Sequence, residues 1–178
     1  YDGAPYDDLL DRWHRPTVDH AELLATFAQA GASYVVLTTK HHDGLTLWDA
    51  PGTGLRNTVR QGPRLDLVRV YADAARSVGL RFGAYYSGGL DWHVRPSPPH
   101  LSAASVEDVD RPKDLAYAAY AASHVRDLIE RYRPDVLLDD IDWPDAGKDF
   151  GPHGIGRVFE DYYAQVPDGV VNDRWRVP

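Results

Sequence analysis

The chain has 178 residues, 43% hydrophobic and 26% charged, with no cysteine and a formal net charge of −8. One domain is the expectation for that length, and the composition excludes disorder, disulfides, thiol catalysis and thiolate metal sites. The acidic balance, with no basic stripe, argues against nucleic acid as a partner, and no apolar run approaches the ~20 residues of a membrane-spanning helix.

Residues 1–16 read as a polar, aromatic lead-in broken by Pro5 and Pro16, with a short helix near Asp8–Trp13. A helix then follows Thr17. Asp19 and Glu22 form a box-like cap, Leu23, Leu24 and Phe27 supply its apolar face, and Gly31 ends it. The β-branched run Tyr34–Thr39 is the first strand, and Lys40-His41-His42-Asp43-Gly44 follows it. A Gly/Pro loop leads to a second helix over Asp66–Val78 and a second strand over Leu80–Tyr86, which ends in Ser87-Gly88-Gly89. Residues 90–110 form a long loop, a length that in a compact domain is usually functional. Pro112 suits the first turn of a third helix, which runs to about Tyr132 with Leu115, Ala119, Ala122, Val125 and Leu128 on one face. Asp135–Asp139 is a third, doubly buried strand followed at once by Asp140, Asp142 and Trp143. A short helix near Ile155–Gln165 and a fourth strand over Gly169–Asp173, with Arg174-Trp175 after it, complete the series.

The alternation α-β-α-β-α-β-α-β implies parallel strands with right-handed crossovers. Every strand delivers polar or aromatic residues at its C-terminal end: His41 and His42, Tyr85 and Tyr86, Asp139 and Asp140, Asp173 and Arg174. That is the pattern of a (β/α)8 barrel of TIM type. An open doubly wound sheet would place its site at the same edge, but no Gly-rich phosphate loop follows any strand. Four βα units are half a barrel, so residues 1–178 are read as a partial catalytic barrel domain truncated at both ends. The absence of methionine agrees with residues missing upstream. The compartment stays open between cytoplasmic and secreted.

Crowded carboxylates repel, so the pKa values of Asp139, Asp140 and Asp142 should spread apart, which suits acid–base or nucleophilic work; the alternative is a strand running into a solvated acidic loop. His41 and His42 could bind a metal, hydrogen-bond a hydroxylated ligand or serve structure alone. Only one can face inward if the strand continues past them, whereas both can turn inward if it has ended. No carboxylate–histidine spacing completes a metal site. Trp48, Trp92, Trp143 and Trp175 follow strand ends or lie in the loops there, where aromatic rings can stack on sugar faces. Together these features suggest a carbohydrate hydrolase.

The block Tyr34–Gly44 resembles the signature of the α-L-fucosidases of glycoside hydrolase family 29. Three more blocks match in the same order: Arg81–Trp92, Pro134–Trp143 and Val171–Trp175. The resemblance implies a retaining enzyme that removes terminal α-L-fucose from fucosylated oligosaccharides or glycoconjugates, with no metal and no cofactor. It implies that Asp140 is the nucleophile and that His41, His42, Tyr85 and Arg174 contact fucose. Leu138 stands where the family often has Trp, and Leu45 where it often has Phe, which points to a slightly altered pocket wall. The family's first strand is expected before Tyr1 and its acid/base glutamate after Pro178. Of the four glutamates present, Glu107 in the long loop is the one in-chain candidate for the acid. Two rival readings are a non-catalytic carbohydrate-binding half-barrel, which could dimerise as a homo-oligomer to cover its open sheet edges, and a metal-dependent hydrolase.

Overall fold

The computed structural model describes residues 5–14, 17–97, 106 and 108–176. The elements run α1 (Tyr6–Arg12), α2 (His20–Gln29), β1 (Tyr34–Lys40), α3 (Leu67–Ser77), β2 (Arg81–Ser87), α4 (Leu115–Tyr132), β3 (Val136–Asp140), α5 (Ile155–Gln165) and β4 (Val170–Val171). The four strands form one parallel sheet in the order β1-β2-β3-β4. A helix crosses over between each pair of consecutive strands, as parallel pairing requires.

Aspartates set the helix starts. Asp19 accepts from the amides of Ala21 and Glu22, Asp66 from that of Arg69, and Asp114 from that of Tyr117. Each carboxylate satisfies amides that have no partner within the helix. The cap on Asp114 corrects the start expected at Pro112: α4 begins at Leu115, and Pro112 stays in the preceding loop. At the other end Arg133 adopts a left-handed conformation (φ +44°) and Pro134 prevents continuation.

Helices α2–α5 lie against one face of the sheet. Leu37 from β1, Phe82, Ala84 and Tyr86 from β2, and Leu137 from β3 join Leu24, Val68, Ala72, Val125, Leu128 and Val158 in a single core. Alternation along the strands puts the intervening residues on the opposite face. There Thr38 is exposed, and Val36, Tyr85, Val136, Leu138 and Asp140 are half-buried. Gly83 is obligatory on that face, because a Cβ would lie 2.9 Å from Val36 and 3.0 Å from Val136. A parallel sheet with its crossover helices on one face is consistent with an arc of a barrel.

Two further expectations are revised. Phe27 and Leu115 are 41% and 60% exposed, so the buried stripes of their helices are carried by other residues: Leu24 in α2, and Tyr117, Ala121, Val125 and Leu128 among those in α4. The fourth strand pairs only at Val170 and Val171, since Asp173–Trp175 turns into a 3-10 helix. The expected loop over 90–110 is described at 90–97, 106 and 108–110, and Glu107 lies outside the described residues.

Candidate active site

The C-terminal ends of the strands bring five side chains together. β1 ends at Lys40, so the two histidines are freed from strand alternation. Their ring centroids lie 4.0 Å apart, and His41 stacks on Tyr85 at 5.8 Å. The Tyr85 hydroxyl donates to Asp140 Oδ2 at 2.8 Å. Arg174, from the 3-10 turn after β4, donates to Asp140 Oδ1, as does the amide of Ile141 at 2.9 Å. His42 Nδ1 lies 2.6 Å from Ser87 Oγ, and its ring meets Trp92 edge-on at 5.8 Å. His41, His42, Tyr85, Asp140 and Arg174 therefore share one rim, drawn from all four βα units.

The electrostatics separates the two adjacent acids. Burial raises the pKa of Asp140, but the hydrogen bonds from Tyr85, Arg174 and the Ile141 amide together outweigh it, and the carboxyl lies below the ordinary aspartate range. Asp139 points into the core. Burial pushes its carboxyl well above the usual value, while the amide of Gly88 donates to it at 2.9 Å and opposes the rise. Asp140 is thus the charged carboxylate on the open face, and Asp139 is a dry group beneath it. Tyr85 is held in the phenol form, first by burial and then by its bond to Asp140. His42 is lowered to about 4 by burial, with the neighbouring His41 and Lys40 adding to the effect against Asp140 and Asp43. It is neutral at physiological pH, so one ring nitrogen can accept a hydrogen bond.

Backbone strain marks the same place. Ile141 and Asp142 follow the carboxylate with φ of +73° and +141°. A β-branched residue at positive φ is costly and persists where its surroundings hold it. Asp142 is held by Arg111 at 3.1 Å and Lys148 at 2.9 Å. Cavities flank the rim on both sides. One of about 430 Å³ is lined by Ile141, Arg174, Arg176, Arg111 and Asp108, and one of about 320 Å³ by His41, Tyr6, Trp13, Thr38 and Leu47.

The tryptophans are a correction. Trp48, Trp143 and Trp175 are fully buried in the core, and only Trp92 stays half-exposed near the histidines. Three of the four rings expected at the pocket mouth are packing groups, because a large apolar ring just past a buried strand gains more from the core than from water. Arg174 pairs with Asp140 across the sheet. Sequence reasoning missed Lys40, Ser87 and Asp91, all buried behind the histidines. The available signal was a lysine at the last position of a β-branched strand. Among the described residues, no group of three or more His, Asp or Glu is arranged to hold a metal ion.

Comparison with known proteins gives the family. The family model for alpha-L-fucosidase matches residues 2–177. The tissue alpha-L-fucosidase of Homo sapiens is 33% identical over 180 residues, covering 97% of this chain and 36% of the human protein. That of Bos taurus is 36% identical over 157 residues, covering 84% of this chain and 30% of the bovine one. The Thermotoga maritima alpha-fucosidase solved with fucose superposes with a TM-score of 0.88 at 42% identity, covering 99% of this chain and 40% of its own. The chain spans about a third of the length of the curated relatives it matches. With the family model matching nearly its full length, this chain belongs to the alpha-L-fucosidase family.

Proposed function

We propose that residues 1–178 supply the nucleophile side of a retaining alpha-L-fucosidase, and that the sheet is an arc of a (β/α)8 barrel closed by further strands. The observation that carries this reading is Asp140: a charged carboxylate on an open sheet face, fixed by Tyr85, Arg174 and the Ile141 amide, beside two histidines. Solved relatives support it, one in complex with fucose and one with a mechanism-based inhibitor.

In this reading a terminal α-L-fucosyl residue sits over the rim, with His41, His42, Tyr85 and Arg174 binding its hydroxyls. An Asp140 oxygen attacks the anomeric carbon from the β face. The glycosidic C–O bond breaks as a general acid protonates the leaving oxygen. The β-linked fucosyl-enzyme ester is then attacked by water, which loses a proton to the same acid/base group, and α-L-fucose leaves with its configuration retained. Tyr85 and Arg174 lower the basicity of Asp140, so it is ready as a nucleophile and leaves readily from the ester. We place the acid/base glutamate outside the described residues. Glu22, Glu130 and Glu160 sit on α2, α4 and α5, away from the strand ends. No metal or organic cofactor takes part in these steps.

The test is Asp140→Gly in the complete protein. We expect turnover of an aryl α-L-fucoside to fall at least about 10³-fold while fucose binding is kept. Azide should restore part of the rate and give β-L-fucosyl azide. Near-wild-type turnover without azide would remove Asp140 from the role.

A further inference from the structure

Lys40 ends β1, and its side chain is completely buried. The mechanism above does not use it. Removing an ammonium from water is costly, and a buried ion pair seldom adds stability over an apolar pair of the same volume. Here the ammonium makes its closest contacts with the turn after β2, and the Tyr117 hydroxyl of α4 lies farther off at 3.5 Å. Nζ lies 3.0 Å from Asp91 Oδ2, donates to the Ser87 carbonyl at 2.9 Å and sits 4.8 Å from the centre of the Tyr86 ring.

That turn grips His42 at two points. The Trp92 amide donates to the His42 carbonyl at 2.7 Å. Ser87 Oγ lies 2.6 Å from His42 Nδ1 and donates to the Leu90 carbonyl at 3.1 Å. A serine has one hydroxyl proton. With that proton directed to Leu90, Ser87 would accept from His42, leaving Nδ1 with the imidazole hydrogen and Nε2 with a lone pair. Asp91 also touches the histidine loop directly. Its Oδ1 accepts from the amides of His93 and Val94, both at 3.1 Å, and a Cβ on Gly44 would lie 2.5 Å from it. Gly44, at φ +78°, is thus required by its own conformation and by the carboxylate beneath it.

We propose that Lys40 and Asp91 are positioning residues that hold the Ser87–Trp92 turn so that His42 is fixed in the Nδ1–H form, with Nε2 as the acceptor for a fucose hydroxyl. This rests on the fucosidase reading for the ligand but not for the histidine's state. The charged and titratable groups around His42 are His41, Lys40 and Asp43 from its own segment and Asp140 from β3, with Asp91 paired to Lys40 behind it. Burial is the main reason that the ring is neutral, and the repulsion from Lys40 acts in the same direction.

The experiment uses the complete protein and two changes. Lys40→Met/Asp91→Asn removes both charges together, so neither is left buried alone, and asparagine keeps the Oδ1 that caps His93 and Val94. Ser87→Ala removes only the hydroxyl that orients the ring. For each, KM and kcat for an aryl α-L-fucoside, Kd for free fucose and the ¹⁵N shifts of His42 are measured. We expect KM and Kd to rise by about 10-fold, the loss of one hydrogen bond. We expect kcat to stay within about threefold because Asp140 is untouched, and His42 to change from one tautomer to a mixture. Combining the changes should add little, since they act through one path. Ser87→Ala with unchanged Kd and an unchanged His42 tautomer would overturn the proposal, and would do so even if the double variant failed to fold. A wild-type protein that neither binds nor hydrolyses fucosides would instead refute the fucosidase reading, and the His42 tautomer would still decide the positioning role.

Discussion

At the end of β3 the strand pleat sends Asp139 into the core and Asp140 onto the open face, and their surroundings move the two carboxyls in opposite directions. The hydroxyl of Tyr85 is one of the groups that keeps Asp140 charged, so Tyr85→Phe should let its pKa rise. The nucleophile would then be protonated at higher pH, and the acid limb of the kcat/KM profile should move upward. At the optimum, kcat/KM should fall about 10- to 100-fold, the range for one hydrogen bond to a charged group. A pH–rate profile that coincides with the wild type would contradict this. The motif residues were legible because strand alternation and the run of strand-end acids are local patterns. The partner of Arg174 was not, because its pairing with Asp140 depends on β4 lying beside β3. Nor was the burial of Trp48, Trp143 and Trp175, since a ring after a strand can face the pocket or the core, and only packing decides.

The elements were readable where caps and breakers bound them. Aspartates open α2, α3 and α4, and Pro134 stands between α4 and β3. The boundaries that failed are those set by packing: β4, cut to two residues by the 3-10 turn, and the start of α4, moved from Pro112 to the Asp114 cap. The turn after β2 depends on close approach. A Cβ at Gly88 would lie 2.5 Å from Asp139 Oδ1 and 2.9 Å from the Trp143 ring. Asp139 is accepting the Gly88 amide and cannot easily move aside. Gly88→Ala should therefore lower the unfolding free energy of the complete protein by about 1–3 kcal/mol, read by denaturant titration. A stability equal to wild type would show that this turn can relax.

The described residues form a parallel sheet with α2–α5 on one face and the candidate site at one edge of the other. β1 and β4 have no outer partner strand among the described residues. The α/β class and strand order could be read from the alternation of elements, whereas closure into a barrel depends on strands beyond these four. One global property follows from the core. His124 in α4 lies 2.8 Å from the Pro51 carbonyl and 3.1 Å from the Tyr86 hydroxyl, and burial, reinforced by repulsion from Lys40, lowers its pKa to about 3. An unfolded histidine titrates near ~6.5. Between those values the unfolded chain binds a proton that the folded one does not, so the histidine's contribution to stability falls as pH drops through that window. Asp139, raised by burial, contributes with the opposite sign, so the comparison must isolate His124. His124→Gln keeps a donor and an acceptor but cannot titrate. Its Tm should fall less between pH 7 and pH 4 than that of the wild type, and identical slopes would contradict the assignment.

In this mechanism Asp140 forms a covalent bond to fucose. The direct measurement is to treat the complete protein with a 2-deoxy-2-fluoro-fucosyl fluoride, which slows breakdown of the ester, then digest it and locate the label by mass spectrometry. The expected result is one fluorofucosyl group on the peptide that carries Asp140, absent from Asp140→Gly. A label on any other residue, or fucoside hydrolysis by a protein that never acquires one, would contradict the account.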